Sequence, residues 1–359
     1  MDDLAAEQPK RRAAGVGDGN PTADAAVTST GEPAGHTAPL TERILSRLPG
    51  SRLGWIIAWS LVPWANVAIV LASGGLEWNT TADLSSELLN RAAVSVAVLL
   101  SLWGAARLNR DLSRLRVTLT AAVEQERPDV DRIFRGIGSA AGPLLLTAAV
   151  AVVLPLDETL RGDAAAAILQ AATWLLFGIP LSTAVWVYLA LQLGLDRLGR
   201  GHLTLRDYSG DRTLGLEPVG GLAFTGFWML FGAVAPIVLT SFADLPTVIV
   251  GSMVLAVAIS LFFLSVRGLH RQMTAIKHRQ LRRAVLLYSQ AYAKVDANPT
   301  LDVLEEQTPL LNATENLEKR AERIRTWPFD EPTFAWVTTI ATSAVAIFVA
   351  RVLLAPTGL

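Results

Sequence analysis

Residues 164–195 read AAAAILQAATWLLFGIPLSTAVWVYLALQLGL, 32 positions without a charge between Asp163 and Asp196. A hydrocarbon core about 30 Å thick takes about 20 apolar residues in helix, because each residue adds about 1.5 Å. The run is longer than one upright crossing needs, and Gly178-x-Pro180 interrupts its middle. It reads either as one tilted, kinked helix or as a broken pair. The choice decides on which side of a membrane everything after residue 195 lies.

The rest of the chain supplies the membrane. With 51% hydrophobic and 18% charged residues over 359 positions, and a mean hydropathy of +0.38, the composition is too apolar for an ordinary water-soluble protein of this length. Six further runs are long enough to span: Trp55–Ser73, Ala92–Leu108, Ala140–Leu156, Leu222–Phe242, Thr247–Val266 and Thr333–Leu354, with Ile168–Leu191 the core of the opening one. Basic residues arbitrate the count, since loops on the cytoplasmic side collect Lys and Arg. If the opening run crosses once and the N-terminus is inside, 28 of the 31 Lys and Arg fall inside, leaving Arg91, Arg161 and Arg351. Splitting the run would put the later basic segments outside. The expectation is an all-α polytopic bundle of seven transmembrane helices in the plasma membrane, with the N-terminus cytoplasmic and the C-terminus outside.

Four regions follow. Residues 1–40, rich in Ala, Gly, Thr, Pro and Asp without an apolar period, read as a disordered cytoplasmic tail. Six spans occupy 41–266, the first serving as an uncleaved signal anchor behind Arg43, Arg47 and Arg52. Residues 267–330 read as a cytoplasmic antiparallel helical hairpin, turning at Asn298-Pro299, with coiled-coil character. Its apolar seam is expected at Leu269, Met273, Ile276, Leu286, Tyr288 and Tyr292, answered by Leu310, Leu317 and Ile324. Folding there would set Lys294 near Asp302, Arg282 near Glu315 and Arg279 near Glu318. Residues 331–359 hold the seventh span and a short outer tail.

Chemistry is excluded more readily than assigned. The absence of cysteine removes disulfides, thiolate nucleophiles, iron–sulfur clusters and Cys-ligated zinc. The span interiors, where ionisable groups would mark proton relays and ion paths, hold no charge, Arg107 and Arg351 lying toward span ends, and all four His (36, 202, 270, 278) lie outside the spans. Neither H-E-x-x-H nor a buried Asp pair is present. The spans do contain breaks with lone polar groups: Pro63 with Asn66, and Gly178-x-Pro180 with Gln170, where freed backbone and an amide could line a midplane binding site.

The loop LTLRDYSGDRTLGLEPVGG, residues 203–221, places Asp207 and Asp211 four apart, and Asp129-x-Asp131 lies on the preceding basic loop. Paired carboxylates could hold magnesium against a diphosphate, a layout similar to membrane prenyltransferases. Arg132, Arg206 and Arg212 already neutralise them, so an Asp211–Arg212 pair tucking the loop under the bundle is the simpler expectation.

Two windows resemble uncharacterised bacterial multi-pass integral membrane proteins. They are 201–222, with Asp211-Arg212-x-x-Gly215-Leu216-x-Pro218-x-Gly220, and 318–355, with Ile324-x-x-Trp327-Pro328-Phe329-Asp330. The resemblance brings no activity. It implies a shared scaffold in which Trp327 and Phe329 act as interface anchors at headgroup level.

The reading is a non-enzymatic membrane sensor or scaffold, signalling through 268–326 to a cytoplasmic protein. Asn66, Gln170, Asp211 and Arg212 are its candidate binding residues. The alternatives are a permease for a neutral or apolar small molecule and an enzyme acting on a phosphorylated lipid. Bilayer lipid and a second copy of the chain are further candidate partners; no metal, cofactor or nucleic acid is expected.

Overall fold

The computed structural model describes residues 38–65, 81–122, 130–153, 164–201, 213, 215–240, 245–329 and isolated positions between 335 and 346. Every regular element among them is a helix: α1 (Leu40–Leu45), α2 (Arg52–Ser60), α3 (Thr81–Ala122), α4 (Val130–Ile133), a 3-10 turn (Arg135–Gly138), α5 (Ala141–Val153), α6 (Ala164–Arg200), α7 (Glu217–Thr240), α8 (Leu245–Ala297) and α9 (Leu301–Glu322). Four of them are long and apolar enough to cross a membrane, over Ser85–Leu115, Ala171–Arg200, Glu217–Thr240 and Val250–Ala297. These take in four of the seven expected spans. The expected span at 140–156 is described only as α5, whose 13 residues are short for a crossing. The one beginning at Trp55 leaves the described residues after Ala65, and the one at 333–354 lies almost wholly outside them.

The opening run is a single helix, α6, with Pro180 inside it. Proline has no N–H, so the carbonyl of Leu176, four residues earlier, loses its helical donor. Trp59 of α2 replaces it, donating its indole Nε1–H to Leu176 O at 2.8 Å. The broken-pair reading fails because the gap is filled from outside the helix. Trp59→Phe keeps the ring and removes the donor, and should cost about 0.5–1.5 kcal/mol, the net worth of one hydrogen bond, because this one lies at the exposed surface of the bundle. Equilibrium unfolding in mixed micelles reads this; an unchanged midpoint would mean that water or lipid satisfies the carbonyl.

Helix α7 packs against α3, α6 and α8. Small residues let the backbones approach: a Cβ on Gly104 of α3 would lie 2.7 Å from Met229, and one on Gly232 of α7 2.9 Å from Leu100. The main core joins Leu108 and Leu112 of α3, Tyr188 and Leu191 of α6, Phe227 of α7 and Phe262 of α8. A smaller core of Leu45, Ile56, Val98, Leu102 and Phe177 seats α1 and α2 on α3 and α6, and Arg52 of α2 pairs with the buried Glu42 of α1. Outward-facing apolar side chains, among them Leu176, Leu193, Met253 and Leu264, are left more than half exposed. A belt of this kind on the spanning helices calls for lipid rather than water.

One end of the bundle gathers the arginines. The C-terminus of α6 meets the middle of α8 where Gly199 faces Gly268, a Cβ on Gly199 standing 3.0 Å from Gly268 Cα. Gln272 of α8 caps this end of α6, its Nε2 donating to Gly199 O at 2.7 Å and Gly201 O at 2.5 Å. Thr225, near the start of α7, donates to Asp111 Oδ2 of α3 at 2.8 Å. These contacts bring Arg107, Arg110, Arg197, Arg200, Arg267 and Arg271 to the same end. Glycine at 215 is required by its backbone: φ is +80° in the turn that enters α7, a value side-chain-bearing residues rarely adopt.

From this end α8 continues, and α9 runs back along it after Asn298-Pro299. Near the bundle the expected seam is met in part, with Leu269, Met273 and Ile324 buried and Ile276 half-buried, but farther along the arm the buried seam is a different one. It consists of Ala284 and Ala291 on α8 and Gln307, Thr314 and Ala321 on α9, spaced by sevens, while Leu286, Tyr288, Tyr292, Leu310 and Leu317 are exposed. Small residues allow a closer approach than the large ones would, and that sets the register. None of the three expected cross-helix ion pairs forms among the described residues. Glu315 takes Lys319 on its own helix instead, at 2.6 Å, and that partner holds its carboxyl below the ordinary range. Lys277 ties the helices together by donating to Glu322 O and Ile324 O at 2.7 and 3.1 Å.

Candidate functional site

Just inside the arginine-rich end, α6 and α8 diverge around a cleft of about 570 Å³, within the range of small-molecule sites. Ile133 and Gly136 close it at the back, where Trp186 donates Nε1–H to Gly136 O at 3.0 Å. Its walls are Leu189 and Leu193 of α6 and Leu261 and Leu264 of α8, and its rim carries Asp196, Arg197 and Arg200. Leu193 and Leu264 are each 58% exposed, so the cleft opens sideways, toward the belt rather than toward the end of the bundle.

One polar pair sits deep in it. Ser265 of α8 donates its hydroxyl to Gln192 Oε1 of α6, and also reaches Phe262 O at 2.9 Å. Gln192 is 4% exposed, and its Nε2 is buried with no hydrogen-bond partner. A buried donor left unmade costs about 1–3 kcal/mol, and such a group in a cleft points to a missing acceptor. At the rim Arg200 pairs with Asp196 at 2.6 Å. Arg197, exposed on the same edge, forms no ion pair among the described residues.

A second cleft, of about 420 Å³, lies between α3 and α7 under Trp103 and Trp228. Its polar groups already have partners: Arg107 lies over Trp103 at 5.6 Å and 3.9 Å from Asp111, which accepts from Thr225. Because nothing there awaits a ligand, the cleft between α6 and α8 is the stronger candidate.

The residues singled out in the sequence fall elsewhere. Asn66, Asp207, Asp211 and Arg212 lie outside the described residues, and Gln170 lies on α6 without a described side chain. Gln170 and Gln192 are 22 residues apart, about 33 Å along one helix at about 1.5 Å per residue, so they serve opposite ends of it. Of the two expected interface anchors, Phe329 turns into the core, while Trp327 is half-buried beside it. Phe329 is 6% exposed and stacks on Phe262 with centroids 5.4 Å apart. Trp327 stacks on His270 at 4.1 Å, and the His270 ring nitrogen Nδ1 lies 2.7 Å from Thr326 O. The rings anchor the chain to α8.

No family model, no curated protein and no solved structure matches the chain. The site therefore stands on its own geometry. Among the described residues no three His, Asp or Glu side chains cluster as metal ligands. Sequence reading missed Gln192 and Ser265. The signal was available: Gln192 is the second amide in the charge-free run, four residues before its charged end at Asp196. Weight went instead to Gln170 because of the nearby Gly178-x-Pro180 break, which Trp59 repairs.

Proposed function

We propose that the chain is a non-enzymatic sensor or scaffold of the plasma membrane, in which the cleft between α6 and α8 is the input and the α8–α9 hairpin the output. One observation carries the reading: α8 is unbroken from Leu245 to Ala297, so the helix that walls the cleft with Leu261, Leu264 and Ser265 is also the arm. From Ser265 to Ala297 it rises about 48 Å at about 1.5 Å per residue, so a tilt of about 5° at the cleft moves the tip by about 4 Å. Small changes beside Gln192 become displacements that a bound protein would feel.

The positive-inside rule assigns the arginine-rich end to the cytoplasm. The hairpin then meets a cytoplasmic partner, and seven crossings leave the N-terminus inside and the C-terminus outside. A permease reading draws on helix breaks, yet the break at Pro180 is filled by Trp59 and leaves no half-helix end there. The phosphorylated-lipid enzyme rests on acidic loops that lie largely outside the described residues.

Because the chain has no cysteine, introduced labels are unique. Spin labels at Arg110→Cys on α3 and Gln290→Cys on α8 report the distance from bundle to arm. Leu193→Trp, which fills the cleft, should shift that distance by several ångström, whereas Leu175→Trp, exposed outside the cleft, should not. Identical distributions would break the link between cleft and arm. Protein-dependent solute uptake into vesicles would move the assignment to a permease.

A further inference from the structure

We propose that the cleft between α6 and α8 holds one anionic glycerophospholipid taken from the surrounding bilayer. The inference deepens the reading above and rests on the same cleft, but occupancy and arm movement are read separately.

Depth and chemistry both select this ligand. A phospholipid orders three groups along the bilayer normal: a charged phosphate, then ester carbonyls that only accept hydrogen bonds, then hydrocarbon. The cleft presents matching groups in the same order. Arg197 lies at the rim, near the end of α6 that Gln272 caps. Gln192 lies five residues deeper, about 7.5 Å along the helix at about 1.5 Å per residue, with a buried Nε2 donor that nothing in the protein satisfies. An ester carbonyl supplies the acceptor. Beyond that level the lining is Leu189 and Leu261, and the exposed Leu193 and Leu264 leave a side entrance from the belt. A ligand arriving from water would have to pass the charged rim before reaching the amide, whereas a lipid enters with its chains leading.

The head is anionic because the rim is cationic. Asp196 neutralises Arg200, so Arg197 remains as the net charge facing the cleft. A phosphate with a neutral headgroup matches that charge, and one carrying a quaternary ammonium does not. A free fatty acid has a carboxylate for Arg197 but lacks a second oxygen at the depth of Gln192.

The test is native mass spectrometry of the full-length protein titrated with dioleoyl phosphatidylglycerol, dioleoyl phosphatidylcholine or oleate. One phosphatidylglycerol adduct should form at least about tenfold more tightly than the phosphatidylcholine or oleate adduct. It should weaken about fivefold to tenfold in Gln192→Leu and in Arg197→Gln, the loss expected for one charge-assisted or otherwise unmade hydrogen bond. Arg197 is exposed, so that variant does not threaten the fold. Should Gln192→Leu fail to fold, Gln192→Met keeps the length of the side chain and removes the donor. Equal binding by both variants and the wild type overturns the site. Equal binding of phosphatidylcholine overturns the anionic head, and equal binding of oleate the glycerol ester. A bound lipid with an arm that does not respond to Leu193→Trp overturns the coupling and leaves the lipid site standing; a responding arm without an adduct does the reverse.

Discussion

Gly220→Ala is expected to lower stability by about 3 kcal/mol or more, while the same substitution one residue later, Gly221→Ala, is expected to be neutral or to stabilise by up to about 1 kcal/mol. A Cβ on Gly220 would stand 1.9 Å from the carbonyl oxygen of Pro328 and 3.0 Å from the Phe329 ring, whereas one on Gly221 meets nothing within 4 Å. The obstacle at 220 is backbone, so no rotamer change relieves it and the chain at 328 must move. That movement draws Phe329 off Phe262 and Trp327 off His270, and each lost aromatic contact adds about 0.5–1.5 kcal/mol. Arg323 and Arg325 should then become faster trypsin sites in detergent. At 221 only the entropy advantage of alanine over glycine in a helix remains. Equal behaviour of the two variants would mean that the segment 324–329 does not rest on α7.

Phe262→Ala should cost about 3–5 kcal/mol, the range for a buried phenylalanine removed without collapse of its neighbours. Its ring is 1% exposed, with centroids of Phe227, Phe263 and Phe329 at 5.6, 5.4 and 5.4 Å. These neighbours come from α7, α8 and the segment after α9, so the vacancy would loosen three parts of the molecule together. Phe263→Ala removes a ring packed at the edge of the core and should cost clearly less. Unfolding in mixed micelles compares them, and equal losses would show that Phe262 is not the centre of the packing.

The spanning helices were legible because lipid imposes a compositional rule on about 20 consecutive residues at a time, and α3, α6, α7 and α8 obey it. What escaped was set by contacts distant in sequence. That α6 is one helix depends on a hydrogen bond from Trp59, 117 positions away, which no local pattern around Pro180 reports. Along the arm a search for large apolar residues chose Leu286, Tyr288 and Leu310, because alanine and threonine look neutral in such a pattern. The helices nevertheless pack on Ala284, Ala291 and Thr314, where closeness matters more than bulk. Gln192 was passed over for a related reason: an amide becomes informative only when its partner, Ser265, and its missing partner are both visible. Phe329 matches the composition of a lipid-facing belt, and only the Phe262 ring reveals that it packs into the core.

The bond between Trp59 and Leu176 also has a temporal side. The ribosome makes the indole well before the carbonyl it will serve, and at about 5–20 residues per second the interval over 117 residues is about 6–23 s. During biogenesis the early segment must still be accessible when the proline-bearing helix enters the bilayer, so a chain shortened past residue 59 would insert that helix with its weak point open and vulnerable to quality-control proteases.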